Sequence, residues 1–487
     1  MQLQKLLNTI KRYNPETDLD MVKLAYEFSE KAHRGQKRQT GEEYFNHAVA
    51  TAQNLANMKL NPTIIIAGLL HDVPEDTDVT LEEIKENFGD EISSLVEGIT
   101  KLGKIKYRGM ERYIENLRKM FIAMAKDLRV IIIKFADRLH NLSTLDALPP
   151  EKQLRIARES LEIYAPIANR LGIGEVKGLL EDYSFKYVYP KEYKWTNDLL
   201  ESKVPRKDRY IKKIQRKVQK EVEKEGIRVV SVHGRTKHLY SLYTKLLSHE
   251  GDINKVYDLI ALRIIVPSIS DCYALLGILH KKWKPLKGRI KDYIAQPKPN
   301  GYQSLHTTVF CDEGEIVEFQ IRTPEMHEEA EFGIAAHWHY YEEGAIKPER
   351  KFKWVQELTK WQKEVQENQK YLEDLKIDVF QNRIFIFTPK GEVIDLPEDS
   401  TPVDFAYHVH TDVGNKCAGT KINDQIASLD TKLNSGDVVE IIIDKNRKTP
   451  NTDWLKFVKT GIARNKIRNA LKIKQKVSFA DIPKIKK

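Results

Sequence analysis

At 487 residues the chain is too long for one hydrophobic core, and roughly two to four domains are expected. A hydrophobic fraction of 41% with 9% aromatics fits globular structure, and no apolar run reaches the roughly 18 residues of a membrane span. The net charge of +10 is concentrated in one place: between Asp444 and Lys487, 14 Lys/Arg stand against 3 Asp, so the remainder is close to neutral. Such a basic end suits a polyanion such as RNA, or is simply a solvated lysine-rich segment. Cys272, Cys311 and Cys417 lack metal-ligand spacing, and Met1–Lys5 opens no signal-peptide apolar region. The expectation is a protein of a reducing compartment, the cytoplasm, with no membrane partner.

Residues 1–185 read as helix, with apolar residues at three- and four-residue steps, as in Met21, Leu24, Ala25 and Phe28. His47 opens one helix after a turn-like Gln39–Glu43. The apolar run Ile64–Leu70 delivers His71-Asp72, and Pro74 predicts that this pair closes the helix with Glu75 and Asp76 on a bend beyond. Asp137 and Asn141, four apart, share a helix face. Taken singly, each of these reads better as an N-cap, a helix-end ion pair or a core histidine. As a set, His47, His71, Asp72 and Asp137 beside Glu75 and Asp76 point to a mixed N/O site for Mn²⁺ or a similar ion.

Residues 186–225 are charged and helical, read as a linker with a solvated face. Residues 226–340 change to short β-branched runs (Ile227–Val230, Ala261–Val266, Thr307–Phe310, Ile316–Arg322) separated by helical segments, an α/β domain with a mixed sheet. In the last run Val317, Phe319 and Ile321 point one way and Glu318, Gln320 and Arg322 the other. Arg235, Lys237, Lys245, Arg263, Arg289, Lys291 and Lys298 distribute positive charge over several segments, which suits a polyphosphate, with Ser241 one helical turn before Lys245. Asp258 and Glu318 are candidates to share Mg²⁺, and Tyr302, after the turn-forming Asn300-Gly301, offers a face for a base. No GxxxxGK[ST] occurs, so this is not a P-loop. Residues 341–376 read as a charged helical connector, 377–444 as short strands, and 445–487 as a basic tail whose Trp454, Leu455, Val458 and Ile462 would line one side of a helix.

Several stretches carry a family resemblance. HDVPEDT, the run Thr100–Lys104 and KFADRLHN resemble the HD-type hydrolase domain of RelA/SpoT-type (p)ppGpp enzymes. HGRTKHLYSLYTKL, YDLIALRI, GRIKDYIAQPKPNGYQSLHTTV and VEFQIRTPEMHEEAEFGIAAHW resemble the synthetase domain of the same family. FTPKGEVIDLP, TPVDFAYHVHTDVG and SGDVVEIII are similar to a TGS domain, a small β-grasp module. The resemblance implies an all-α hydrolase domain, a nucleotidyltransferase-like α/β domain and a β-grasp domain, acting together in the stringent response. It implies a Mn²⁺ site at His47, His71, Asp72 and Asp137 that removes the 3′-pyrophosphate of (p)ppGpp. Glu75 and Asp76 would act on the attacking water, and Arg38 and Asn141 would contact the nucleotide.

In the synthetase half the resemblance implies pyrophosphoryl transfer from ATP to the 3′-OH of GTP or GDP. Arg235, Lys237, Lys245 and Arg263 would hold ATP, and Asp258 and Glu318 would hold Mg²⁺, with Glu318 the candidate base. Lys298, Asn300, Tyr302 and His306 would hold the guanine nucleotide, and Arg289-Ile290-Lys291-Asp292 matches the basic form of bifunctional members. His410 matches a position that meets the 3′ end of deacylated tRNA on the ribosome, and is otherwise a capping or surface histidine. Gln39, Pro74 and Thr236 depart from the family pattern, and the further regulatory modules of long relatives are not expected. Two other readings stay open: a hydrolase whose second half only binds nucleotide, and a ribosome- or tRNA-binding adaptor.

Overall fold

Helix Pro62–Leu70 shows how the sequence builds the N-terminal part. Asn61 caps it, its side chain accepting from Ile64 N at 3.2 Å, and Pro62 occupies the first turn, where a missing N–H costs nothing. Ile64 through Leu70 are all buried, so this helix is apolar all round and lies inside its neighbours. In this computed structural model we number the elements α1 (Gln2–Tyr13), α2 (Asp20–Ala32), α3 (Phe45–Asn57), α4 (Pro62–Leu70), α5 (Val73–Asp76), α6 (Leu81–Gly103) and α7 (Arg129–Ser143). Next come α8 (Pro150–Glu159), α9 (Ala165–Arg170) and α10 (Gly174–Val188), with a π-helical turn over Ser160–Tyr164. The structure describes residues 1–103, 120, 122–124, 126–201, 204–234, 237–298, 300–338, 383–390, 393–434, 436–447 and 449–471. Arg235, Thr236, Lys104, the connector over 341–376 and the tail beyond 471 lie outside them.

Two local expectations change here. His47 is the third residue of α3, not its first. After α4 the chain does not bend away: Pro74 sits in the first turn of the short helix α5, and Glu75 N and Asp76 N both donate to Asp72 O at 3.1 and 2.9 Å. A proline is excluded from helix interiors but welcome at a helix start, so it ends one helix by beginning another.

The α/β part follows in the same compact unit, Met1–Gln362. Its elements are α11 (Pro190–Glu201), α12 (Val204–Lys224), β1 (Ser231–Gly234), α13 (Leu239–Ser248), β2 (Ala261–Ile265), α14 (Ile269–Lys282), β3 (Pro285–Asp292), β4 (Leu305–Phe310), β5 (Ile316–Arg322), α15 (Pro324–Phe332) and α16 (Ile334–Trp338). The five strands form one mixed sheet in the order β1-β2-β5-β4-β3, with only β2–β5 parallel. Val317, Phe319 and Ile321 face a core that also takes Leu262, Ile264, Leu275 and Leu279. The charged stretch expected to be a linker contributes to that core, because Tyr210, Ile214, Val218 and Val222 make one face of α12 apolar. Ile227–Val230 is not a strand; Ile227 and Val229 pack on the core and pairing begins at Ser231.

The helical and α/β parts meet closely at the turn Asn169–Gly172. Ile334 N donates to Leu171 O at 3.1 Å, and Asn300 Nδ2 donates to Asn169 O at 3.1 Å. Gly172 has φ +78°, and a Cβ there would stand 2.8 Å from Asn300 O and 3.2 Å from Gly333 Cα.

The second unit, Lys363–Lys487, contains a three-stranded sheet, Val439–Ile443 beside Cys417–Ile422 beside Gln425–Ala427, and a hairpin of Arg383–Phe387 with Val393–Pro397. Helix Pro402–Val409 packs within it, opened by a capping box between Thr401 and Asp404. The single tail helix expected around Trp454 is two pieces, a 3₁₀ turn over Thr452–Lys456 and a helix over Gly461–Ala470. Buried Asp404 separates them by accepting from Lys459 N at 3.0 Å and Thr460 N at 2.7 Å, while Thr460 caps the second piece.

The glycine junction gives a paired prediction. Gly172→Ala should lower stability by about 1–3 kcal/mol, since it combines a left-handed backbone with a backbone clash. Gly277→Ala, in the open on α14, should raise stability by about 0.5–1 kcal/mol. Denaturant midpoints of the two variants check the contrast.

Candidate functional site

The apolar α4 ends where His71 and Asp72 begin, α3 brings His47, and α7 brings Asp137. One ligand atom each from His47, His71 and Asp137 lies within 4.8 Å of the others, and all three residues are buried. Asp72 joins them: its carboxylate oxygens stand 3.3 Å from His47 Nε2 and 3.2 Å from His71 Nε2. This donor set, two imidazoles and two carboxylates around one point, suits a divalent cation.

The surroundings fix which ring nitrogen faces that point. His71 Nδ1 lies 2.8 Å from Gly68 O, an acceptor only, so Nδ1 carries a proton and Nε2 is the nitrogen turned inward, where a cation would take the place of its proton. That Nε2 is fully buried, with Asp72 Oδ1 at 3.2 Å beside it. His140 performs the same service for His47. Its Nδ1 accepts from the Arg38 guanidinium at 3.2 Å, and therefore also accepts from His47 Nδ1 at 2.8 Å, which leaves His47 Nε2 for a cation. Burial, then the neighbouring His47 and Arg38, pushes the His140 pKa down to about 4, keeping it the neutral acceptor this needs.

The charges are those of a cation site. Burial works against ionised Asp72 and Asp137, yet both carboxyls are held below their ordinary range, Asp72 mainly by His71 and Asp137 mainly by Lys134. Lys134 Nζ lies 2.6 Å from Asp137 Oδ2, leaving Oδ1 toward the imidazoles. Burial alone would lower the His71 pKa; Asp72 and then Asp137 override it and raise it to about 9. The two acids thus place a positive charge where a metal would stand.

Around this centre Tyr44 donates to Asp72 Oδ2 at 2.9 Å and to Asp76 Oδ2 at 2.6 Å, tying one of the predicted acids to a ligand. Arg38 Nη2 donates to Asn141 Oδ1, and Asn141 Nδ2 donates to Asp137 Oδ1, each at 2.5 Å. Sequence reasoning gave no role to Tyr44, Lys134 or His140. Lys134 was detectable one turn before Asp137, and His140 lay inside a motif already singled out. Tyr44 had no spacing signal.

On the sheet, pairing register aligns a polar row across all five strands: His233, Arg263, Gln320, His306 and Lys291 stand opposite one another in turn. Residues directly opposite share a face, so four side chains picked from scattered segments are neighbours by register. Glu318 lies two residues along from Gln320 and accepts from its amide at 2.7 Å. His306 Nδ1 stands 3.7 Å from Glu318, and His306 Nε2 is 2.7 Å from the Tyr302 hydroxyl. At one side Asp258 is gripped by Lys237 at 2.7 Å and by Lys245, and these cations hold its carboxyl below the usual range against burial. At the other, Lys298 Nζ lies 4.7 and 4.9 Å from the ring centroids of Tyr293 and Tyr302, and Arg289 reaches over Tyr257 at 5.3 Å. Ser241 sits one turn before Lys245 on α13. The polar face of β5 does not meet water as a three-polar strand ordinarily would; Gln320 and Arg322 are buried.

The helix carrying Ser241 and Lys245 is held from the all-helical part. Asp182 on α10 accepts from His238 Nδ1 at 2.8 Å and from Tyr240 N at 3.0 Å. In the second unit His410 caps the short helix Thr411–Asn415, accepting from Asp412 N at 3.2 Å, with an exposed side chain.

Three family models match in chain order: an HD domain over residues 25–174, a region found in RelA / SpoT proteins over 234–345, and a TGS domain over 384–443. The chain is 47% identical over 474 residues to a GTP pyrophosphokinase of Myxococcus xanthus, covering 96% of this chain and 62% of that protein. It is 46% identical over 478 residues to a guanosine-3′,5′-bis(diphosphate) 3′-pyrophosphohydrolase of Aquifex aeolicus, covering 98% and 67%. With the bifunctional (p)ppGpp synthase/hydrolase SpoT of Escherichia coli the identity is 44% over 473 residues, covering 96% and 67%. The chain spans about two thirds or less of the length of these relatives.

The Asp182–His238 pair yields a pH prediction. Burial lowers the His238 pKa and Asp182 more than offsets it, so the folded value is raised above 6.5. The stabilisation is therefore complete below pH about 6.5 and fades as pH rises through the folded pKa. Asp182→Asn keeps an acceptor for Tyr240 N but removes the charge. Its deficit in unfolding free energy should be about 1 kcal/mol at pH 6 and should shrink by pH 9.

Proposed function

The chain belongs to the RelA/SpoT family, and from that premise we propose that it both makes and degrades (p)ppGpp. It would act as a GTP diphosphokinase and as a guanosine-3′,5′-bis(diphosphate) 3′-diphosphatase. The observation that carries this reading is the presence in one compact unit of two different polar centres, the buried His/Asp cluster and the row across the sheet.

In the hydrolase half His47, His71, Asp72 and Asp137 would hold Mn²⁺. When bound, the cation makes water acidic enough to attack near neutral pH and offsets charge on phosphorus. Glu75 and Asp76 would orient that water and take its proton, with Asp76 aligned through Tyr44. Arg38 and Asn141 would grip the nucleotide; the water oxygen would bond to phosphorus as the bond from phosphorus to the 3′-oxygen breaks, pyrophosphate would leave, and the proton held by the carboxylate would pass to the 3′-oxygen.

In the synthetase half Arg235, Lys237, Lys245 and Arg263 would hold ATP, while Lys298, Asn300, Tyr302 and His306 hold GDP or GTP. Asp258 and Glu318 would hold Mg²⁺, which supplies charge compensation on the phosphates. Glu318 would accept the 3′-OH proton as the 3′-oxygen bonds to the β-phosphorus of ATP and AMP departs. Transfer of this kind depends mainly on positioning and charge, which the row provides. The exposed His410 and the basic residues after Asp444 support a contact of the TGS module with deacylated tRNA or the ribosome.

The two centres should fail independently. His71→Ala should reduce Mn²⁺-dependent ppGpp hydrolysis by roughly a hundredfold or more while ATP-to-GDP transfer persists, and Glu318→Gln should do the reverse. Nucleotide separation after each reaction reads the outcome. Loss of both activities from either change would overturn the assignment.

A further inference from the structure

Arg322, at the end of β5, is among the largest fully buried side chains in the protein, with 2% of its surface exposed. A guanidinium stays charged in any protein interior, and its removal from water costs several kcal/mol unless neighbours compensate. Compensation here is incomplete: Nε and Nη1 have no hydrogen-bond partner, and the Glu331 carboxylate stands 3.6 Å from Nη1. What the group does hold is Tyr302. Nη2 donates to the Tyr302 hydroxyl, and the guanidinium carbon lies 4.7 Å from the centroid of the same ring. It also reaches Gln320 Oε1 at 3.4 Å.

Stability alone does not account for this charge, since an apolar side chain of similar volume often serves a core as well or better. Its effect is to immobilise one aromatic ring. The Tyr302 hydroxyl is fastened by Arg322 and by His306 Nε2, and the ring meets Tyr293 and His306 edge-on at centroid distances of 5.9 and 5.8 Å. Lys298 also approaches that ring, 4.9 Å from its centroid, from the exposed side, whereas Arg322 holds it from the buried side.

We propose that Arg322 is a positioning residue for guanine-nucleotide recognition: it sets the Tyr302 ring at the angle that accepts the purine base. The inference rests on the reading of the synthetase half given above. It predicts a defect confined to one of two substrates, whereas a merely structural role would affect both.

The experiment measures GDP affinity by calorimetry and KM for GDP and ATP in Arg322→Met, Arg322→Lys and Tyr302→Phe, with ppGpp hydrolysis by the same chains as a folding control. Arg322→Met should weaken GDP about tenfold, while KM for ATP and the hydrolysis rate change by less than about twofold. Arg322→Lys should keep the charge without restoring GDP affinity, because an ammonium lacks the planar fork. In the Tyr302→Phe background the Arg322→Met effect should shrink. Unchanged GDP affinity, equal losses for ATP and GDP, or full additivity would overturn the inference. If Arg322→Met does not fold, Tyr302→Phe alone must weaken GDP selectively or the inference falls. A wild-type chain that binds GDP yet transfers nothing would refute the bifunctional reading and leave this affinity test standing.

Discussion

Two carboxylates and two imidazoles kept out of water at the meeting of three helices are the constraint on which the N-terminal half depends. Ionised acids in an apolar interior need positive charge close by, and the surroundings provide it from one side through Lys134 and from the centre through the imidazoles. The apolar α4 makes that interior, and the Asn61 cap and Pro62 fix where α4 starts. Gly68 O and His140 then settle the orientation of the two rings. The four buried or half-buried ionisable groups would be a poor choice for stability alone, and together they define a cation-binding point.

The sheet works by a different rule. Its polar side chains are gathered by strand register. Because β2, β5, β4 and β3 are paired in line, an arginine, a glutamine, a histidine and a lysine from four distant segments form one row, and His233 on β1 extends it. The loop bearing Lys298, Asn300 and Tyr302 rests on the turn at Asn169–Gly172, and α13 is held by Asp182. The all-helical part thus supports one edge of the α/β part, through the Asn300 amide on Asn169 O, the Asp182–His238 pair and a close approach at Gly172.

Much of this was legible before any coordinates. Periodicity gave the helical half, alternation in Ile316–Arg322 gave the strand with a polar face, and His47, His71, Asp72 and Asp137, singled out as a set, are the four side chains the fold gathers at one point. The misses have physical causes. Pro74 was read as a terminator, although a proline is equally at home in a first turn. The charged stretch from 190 to 225 hid the apolar stripe Tyr210, Ile214, Val218, Val222 behind its lysines. Trp454 and Ile462 share a helical period, but Asp404, fifty residues earlier in the chain, breaks the helix between them by taking the backbone N–H groups of Lys459 and Thr460. Tyr44 and His140 act through contacts between distant segments, which no local pattern reports.

A single cation held by His47, His71, Asp72 and Asp137 is the feature the N-terminal half would be built around. Anomalous diffraction at the manganese edge, from crystals grown with Mn²⁺, tests it most directly. The prediction is a peak within bonding distance of His47 Nε2, His71 Nε2 and the Asp72 and Asp137 carboxylates. Full occupancy of a manganese site elsewhere, with no density among these four, would contradict it.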